Sequence, residues 1–404
     1  MTYKARIKNN ICTNAHPKGC YYNVHEQIMN ALDNQQNTEL KGKTALVVGS
    51  SSGIGLASRI ALSFAYGMDT LGVYFERAGQ AHKYGSAGWY NNQAFEYYAR
   101  RSNKTALSTN QDAFQGKAKE WVIQKLKQQG KKIDVLVYSL AAPRRSVHGV
   151  ADYQSTIKPI HENFTGTSLD IVKTQLRPLE LDAATPAEVE ATVKVMGGED
   201  WQEWVNRLSA EGLLADNVKT IAYSYLGPEQ TQAIYGRGTL GAAKRHLHET
   251  AIALDQKLKP IKGRAHIGLF QALVTPSSSV IPSLPLYISA LHQVQKQRDT
   301  FETTLDQVLR MYREGFIGTD KASIKLRVDD IERDEITQKR VNEVLNMVTP
   351  ENLTEVVDVD AFKDAFLKQF GFNFDFIDYE DKPDPLMPPA TCSFEYRSSL
   401  SKAS

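Results

Sequence analysis

Residues 44–65 read TALVVGSSSGIGLASRIALSFA. The run TALVVG (Thr44 to Gly49) is apolar and β-branched, as a buried parallel strand is, and IGLASRIALSFA (Ile54 to Ala65) carries its apolar residues at helical spacing. Between them lies GSSSGIG (Gly49 to Gly55). Strand, glycine turn and helix in that order let a backbone approach a diphosphate, whose charge then rests on the free N–H groups and the positive end of the helix. The spacing is Gly-x3-Gly-x-Gly rather than GxGxxG, and no Gly-Lys-Ser/Thr follows, which excludes a Walker A loop. A bare connecting turn is the other reading this stretch leaves open.

Outward from the turn the alternation continues. TLGVYFE (Thr70 to Glu76) reads as a second strand, TALSTN (Thr105 to Asn110) as a third, AFQGKAKEWVIQKLKQQG (Ala113 to Gly130) as a helix stopped by glycine, and IDVLVYSL (Ile133 to Leu140) as a fourth strand. Such alternation predicts right-handed βαβ units and a parallel sheet. From about 143 to 217 it lapses into a polar stretch rich in short helical patterns, an insertion over the sheet's edge. It resumes with TIAYSYLG (Thr220 to Gly227), a helix from about Thr239 to Leu258, and AHIGLFQALVT (Ala265 to Thr275). The C-terminal quarter reads as mostly helical, with a polar tail after Asp378. The expected fold is therefore α/β, a doubly wound parallel sheet (Rossmann-like) with a helical insertion and a helical C-terminal extension. One such domain is expected over 1–404, with an N-terminal extension (1–42), the insertion (about 143–217) and the helical C-terminal region (about 286–404).

Composition narrows the function. The 404 residues are 42% apolar and 23% charged, ordinary values for a globular protein. Lys plus Arg (48) nearly balances Asp plus Glu (46), so no global field exists to hold nucleic acid or an anionic membrane. Cys12, Cys20 and Cys392 are too scattered for a disulfide framework or a zinc pattern, which suits a reducing compartment. The nine histidines, His148 among them, are dispersed, and no metal is expected. Lys4, Arg6 and Lys8 precede no apolar segment of a secretory signal, and VIPSLPLYISALHQV is broken by Pro282 and Pro285, which rules it out as a membrane span. A cytoplasmic protein with no nucleic-acid partner and no membrane span is expected.

Candidate site residues follow from position. Glu76 closes the second strand, where a carboxylate accepts from both adenosine ribose hydroxyls and repels a 2′-phosphate, which favours NAD over NADP. Arg77 beside it can accommodate that phosphate. Asp112 and Ala113 follow the third strand, where doubly wound folds place an acid near the adenine. Ser139, Leu140, Ala141 and Ala142 end the fourth strand at the crevice. Arg144 and Arg145 read equally as an anion site or as surface charge, and Trp201 and Trp204 as packing. In IYGRGTLGAAK (Ile234 to Lys244) a tyrosine and a lysine stand nine positions apart, which one continuous helix would set on opposite faces. Gly236, Gly238 and Gly241 argue against that helix, since each costs about 1 kcal/mol relative to alanine in a helix interior. With Tyr235 in a loop and the helix starting near Thr239, Lys244 lies in the second turn and reaches the cofactor ribose while Tyr235 reaches the substrate.

ICTNAHPKGC near the start, GSSSGIGLASRIALSFAYGMDTLGVYFER, GSAGWYN, VYSLAAPRR, VMGGEDW, AYSYLG, the Tyr-x8-Lys of IYGRGTLGAAK and SSSVIPSLPLYIS together resemble the FabV-type trans-2-enoyl reductases, in order over nearly the whole chain. These are enlarged relatives of the short-chain dehydrogenases. The resemblance implies NADH-dependent reduction of the carbon–carbon double bond of 2-enoyl thioesters of acyl carrier protein or coenzyme A, in fatty-acid elongation or acyl-CoA reduction, by a chain that tends to be monomeric. It implies Tyr235 as the catalytic residue, Tyr225 as a second tyrosine at the substrate, and Lys244 on the cofactor. Its nucleotide contacts fall on Gly49, Ser50, Ser51, Ser52, Gly53, Ile54, Phe75, Glu76, Asp112, Ala113, Leu140, Ala141, Leu273, Val274 and Thr275. Gly236 departs from the family's pattern, which carries a larger side chain there. In the implied mechanism the Tyr235 hydroxyl stabilises a developing enolate, Lys244 holds the nicotinamide ribose and favours the tyrosinate side of Tyr235, and Tyr225 is a second donor. Two other readings stand beside this one: a carbonyl reductase of the ordinary short-chain type, whose tyrosine and lysine are four apart, and an NAD(H)-binding redox-sensing module without turnover.

Overall fold

A computed structural model describes residues 3–36, 39–147, 151–317, 323–380 and 382–392, so His148 lies outside the described residues. The apolar run becomes β1 (Thr44–Val48), buried at every position. The glycine turn feeds α1 (Gly53–Ile60), which a π-helical turn prolongs to Ala65. Next come β2 (Asp69–Tyr74), α2 (Ala87–Arg101), β3 (Ala106–Asn110), α3 (Gly116–Gln129) and β4 (Ile133–Tyr138). α3 stops where Gly130 takes a left-handed φ of 62°, a conformation that favours glycine. α2 is the crossover that two parallel neighbours require, although the sequence reading assigns no helix there.

After β4 the chain leaves the sheet as two antiparallel hairpins, Arg144–Val147 with Ala151–Gln154 and Phe164–Asp170 with Gln175–Leu181, and then α4 (Pro186–Met196). The insertion thus holds strands as well as the expected helices. α5 (Glu199–Ala210) is the regular crossover back to β5 (Leu214–Ser224), and its Trp201 and Trp204 are fully buried, with Trp201 Nε1 donating to Thr220 Oγ1 at 2.9 Å. α6 (Thr239–Leu258), β6 (Arg264–Leu269), α7 (Leu284–Gln297) and α8 (Thr304–Met311) follow. β7 (Lys325–Arg327) then returns to the sheet before α9 (Glu335–Met347).

The sheet runs β7-β6-β5-β4-β1-β2-β3, parallel throughout. From β1 the chain winds one way through β2 and β3, then crosses to β4 and winds the other way. The reversal opens a crevice at the C-terminal ends of β1 and β4, where such sheets bind ligands. α1, α2, α8 and the helix Pro17–Asp33 pack on one face, and α3, α5 and α6 on the other. A third core joins α7, α9 and the helix Val359–Lys368 to Leu169 and Ile171 of the longer hairpin.

Buried charges tie the layers. Arg59 of α1 is fully buried and donates to Thr70, Asn92, Ser108 and the Leu107 carbonyl, while Lys119 of α3 meets Asp200 of α5 at 2.7 Å, with the Tyr138 hydroxyl also on that carboxylate. Segments distant in sequence meet as well. The Tyr3 N–H donates to the Tyr379 carbonyl at 2.6 Å and the His16 N–H to that of Phe370 at 2.9 Å. A Cβ on Gly19 would stand 1.9 Å from the Gly371 oxygen, so that crossing admits no side chain. Among the described residues the three cysteines are free and buried, and no helix is long and apolar enough to cross a membrane.

Candidate active site

At the nucleotide end, geometry follows from the glycine turn. Gly49 has φ 87°, and a Cβ there would lie 2.0 Å from the Ser139 carbonyl oxygen. A Cβ on Gly55 would lie 1.9 Å from the Gly49 oxygen, so the turn and the start of α1 sit directly on each other. The N–H groups of Gly49 and Ser50 both donate to the Val73 carbonyl. The first N–H groups of α1 have no intrahelical acceptor, and Ser52 at its N-cap makes no side-chain bond to them. Thr275 approaches within 3.7 Å of where a Gly53 Cβ would stand, which brings the loop after β6 to the rim of this cradle. Ser278 holds that loop, its hydroxyl donating to the Leu273 carbonyl at 2.5 Å and accepting from the Thr275 N–H at 2.9 Å; Gln369 donates to the Val274 carbonyl at 2.9 Å.

Glu76 lies two residues beyond β2, beside the turn. Its carboxylate accepts from Ser51 Oγ at 2.8 Å and Ser86 Oγ at 2.5 Å, and Asn110 clamps its backbone with two bonds of 2.9 Å. Arg77 is turned elsewhere, donating to the carbonyls of Tyr84 and Thr13 at 3.2 and 3.3 Å. Phe75 is 73% exposed next to Glu76. Asp112 accepts from the Phe114 N–H at 3.0 Å and shapes the entry to α3, the Ala113 carbonyl takes the Lys119 ammonium, and the Leu140 side chain lies over Gly49. Ala141 follows at the end of β4. Arg145 is buried, donating to the Lys194 carbonyl and Glu199, and so is structural, whereas Arg144 is exposed.

The substrate end is built from β5, the loop before α6, and segments far down the chain. α6 begins at Thr239, so Tyr235 lies in the preceding loop. Its carbonyl accepts from the N–H groups of Gly238 and Gly241, and Cβ atoms on those glycines would collide with the Ile234 and Gly236 oxygens at 2.0 and 1.9 Å. Gly236 differs, because the space beside it is filled by the flexible side chain of Gln232. The Tyr235 ring is buried and packs edge-on against Tyr225 with centroids 5.2 Å apart; burial alone raises its pKa. Lys244 Nζ donates to the Tyr223 carbonyl at 2.9 Å, and burial pushes its pKa down to about 8. The lysine therefore braces the end of β5. Burial is the cause that raises the Tyr235 phenol, which favours its protonated form.

Tyr225 follows β5 directly, and its hydroxyl donates to Glu332 Oε1 at 2.8 Å. Glu332 also accepts from the Tyr287 hydroxyl at 2.8 Å and the Ala272 N–H at 2.7 Å. It is 1% exposed, and burial pushes its carboxyl up to about 7. Ser86, Asn110 and Glu332 escape the sequence reading. Ser86 stands at the N-cap of α2, a position that favours serine, but nothing local marks Glu332.

All the nominated positions except Tyr235 and Lys244 lie at or just past the C-terminal end of a sheet strand, with those two in and after the β5–α6 loop. This is the architecture of nicotinamide-dependent oxidoreductases. Three family models match in succession: the NAD(P)H binding domain of trans-2-enoyl-CoA reductase over residues 2–81, the trans-2-enoyl-CoA reductase catalytic region over 83–317, and an enoyl reductase FAD binding domain over 319–382. The chain belongs to the trans-2-enoyl reductase family, of FabV type. It is 41% identical over 392 residues to a trans-2-enoyl-CoA reductase [NADH] of Treponema denticola, covering 94% of this chain and 98% of that one. It is 42% identical over 395 residues to an enoyl-[acyl-carrier-protein] reductase [NADH] of Pseudomonas aeruginosa, at 95% and 98% coverage. Its fold matches the trans-2-enoyl-CoA reductase of Clostridium acetobutulicum in complex with NADH at a TM-score of 0.90, with 36% identity and 96% and 99% coverage. The Treponema denticola enzyme in complex with NAD matches at 0.89, with 40% identity and 95% and 98% coverage. A flavin does not fit the last segment. Its one glycine, Gly371, is closed against the backbone of His16 to Cys20, so among the described residues no glycine there is open to a phosphate.

Proposed function

We propose that this protein reduces the 2,3 double bond of trans-2-enoyl thioesters, carried on acyl carrier protein or coenzyme A, to saturated acyl thioesters with NADH, as a step of fatty-acid elongation. The observation that carries the site assignment is Tyr235, a buried phenol at the crevice with no described residue bonded to its hydroxyl and a second tyrosine at its edge. Gly49, Ser50, Ser51, Ser52, Gly53 and Ile54 hold the diphosphate, and Phe75, Glu76, Asp112 and Ala113 surround the adenosine. Leu140, Ala141, Leu273, Val274 and Thr275 line the crevice towards the nicotinamide. Support comes from the position of each group at the strand ends and from the Glu76 carboxylate beside Ser51.

NADH supplies the hydride, which adds at the β-carbon. The protein's part is to receive the negative charge that moves onto the thioester oxygen. A phenol hydroxyl aimed at that oxygen acts as an oxyanion donor. Burial keeps Tyr235 protonated, so the proton is available for the α-carbon, directly or relayed from water. Lys244 would hold the cofactor ribose from the β5 end, and Tyr225, its hydroxyl turned to Glu332 instead of acting as the expected second donor, supports Tyr235 through ring packing. The working unit is taken as one monomeric domain in the cytoplasm. An absorbance trace at the NADH band tests the reading: crotonyl-CoA should drive oxidation and 3-ketoacyl thioesters should not. A flat trace with every enoyl thioester would overturn it in favour of a binding module.

A further inference from the structure

We propose that Glu332 is a positioning residue for this reduction, aiming the Tyr235 hydroxyl by holding Tyr225 in place. The proposal rests on the assignment of Tyr235 as the donor. Glu332 lies on the short helix Asp330–Arg333 after the edge strand, 107 residues beyond Tyr225, yet it gathers three donors from three elements. These are the Tyr225 hydroxyl at the end of β5, the Tyr287 hydroxyl on α7 and the Ala272 N–H in the loop after β6. Gln338 on α9 closes the arrangement, donating to the Tyr287 hydroxyl at 3.0 Å and to the Glu332 carbonyl at 2.6 Å. Tyr225 in turn presents its ring to that of Tyr235. The same carboxylate therefore fixes a wall of the substrate site and, through Ala272, the loop that carries Leu273 to Thr275.

An ionised carboxylate accepts all three bonds, whereas a protonated one carries a hydroxyl where an acceptor is needed. The network of three donors on one carboxylate belongs to the ionised form; protonation adds an O–H that weakens or reverses one of the three bonds. Among the described residues no cation pairs with Glu332. Nearby Asp329 is neutralised by Arg327 in two bonds, Asp330 is paired with Arg310, and Asp334 with Arg298. Arg333 acts at a distance on Tyr287, and the phenols of Tyr225 and Tyr287 are both raised well above the ordinary range. His292 on α7, bonded to the Ala272 backbone, is pushed down to about 4 by burial and stays neutral near pH 7. Glu332, pushed up to about 7, is thus the group that titrates here in the neutral range.

The test is the pH profile of kcat at saturating NADH for wild type, Glu332→Gln, Tyr225→Phe and the double variant, with NADH affinity by titration and Tyr235→Phe as reference. Wild-type kcat should fall as pH drops through about 7. Glu332→Gln should lower kcat about tenfold, as loss of one charged hydrogen bond does, keep NADH affinity and lose that acidic limb. The double variant should be no worse than the poorer single, since both break one contact. Additive losses, or an acidic limb retained in Glu332→Gln, would overturn the proposal. If Glu332→Gln does not fold, Tyr225→Phe decides alone, by a lowered kcat and a flattened limb or by their absence. If Tyr235→Phe keeps full turnover, the donor assignment itself fails, a result separate from any of these.

Discussion

The two ends of the crevice are made in different ways. At the nucleotide end, turn, helix start and strand end lie within thirty-odd residues, and backbone packing admits no Cβ at Gly49, against the Ser139 carbonyl, or at Gly55, against the Gly49 oxygen. At the substrate end, Tyr225, Tyr235, Tyr287 and Glu332 come from separate segments and meet through side-chain bonds and ring packing. The first end is specified by backbone packing, between the turn and its own helix and against the end of β4. The second exists only once distant segments have come together, so substitutions at Tyr225 and Tyr235 should act on turnover while leaving the cofactor cradle intact.

That separation can be broken by experiment. The largest effect is expected from Tyr235→Phe, which keeps the ring but removes the donor: turnover should fall on the order of 10²–10³-fold, as for other single oxyanion donors, with NADH affinity unchanged. A parallel loss of NADH binding would show that the two ends are not independent. Glu76→Ala sharpens the nucleotide side. A carboxylate about 4 Å from a 2′-phosphate, at an effective dielectric near 20, repels it by roughly 4 kcal/mol before screening, so wild type should prefer NADH strongly in kcat/KM. The substitution should narrow that ratio from both directions, and an unchanged ratio would remove Glu76 from the ribose.

Lys244→Met addresses the join, because the lysine bonds the Tyr223 carbonyl and is assigned to the ribose. Turnover and NADH affinity should both fall, by about tenfold for a charged hydrogen bond. Its pKa is depressed, so the ammonium is present below about pH 8 and lost above it; wild-type NADH affinity should weaken as pH rises through that range and the variant should show no such step. The smallest effect belongs to Gly236→Ala. Its new methyl meets the end of the Gln232 side chain, which can move at the cost of its bonds to the Leu226 and Gly227 carbonyls, so turnover and Tm should fall less than in Gly241→Ala, which strikes the Gly236 backbone oxygen.

What the sequence discloses follows the same division. The strand, glycine turn and helix at 44–65, the helix start at Thr239 and the stop at Gly130 are readable because short-range geometry forces them. α2 is missed because its polar and aromatic residues, YNNQAFEYYAR, show little amphipathic contrast. The hairpin Phe164–Asp170 with Gln175–Leu181 has only Leu169 and Asp170 buried and includes Pro178, so it lacks the clean apolar alternation that marks a half-buried strand. The family motifs carry Tyr225 and Tyr235 but not the charge behind them. Glu332 sits in a four-residue helix, and its importance lies in partners that only folding brings together.

The crossing at Gly19 and Gly371 bears on how the molecule is made. The helix Pro17–Asp33 precedes several of its partners by most of this sequence: its Tyr21 hydroxyl is satisfied by the Met387 carbonyl, 366 residues later, and its first turn by the backbone around Phe370. The face that meets α1 and α2 can pack early, whereas the first turn must wait until residues 370–387 are made. The entropic cost of closing so long a loop grows only slowly with length, but the exposure time grows in proportion to it. A later-made segment is thus the one that seats an earlier helix.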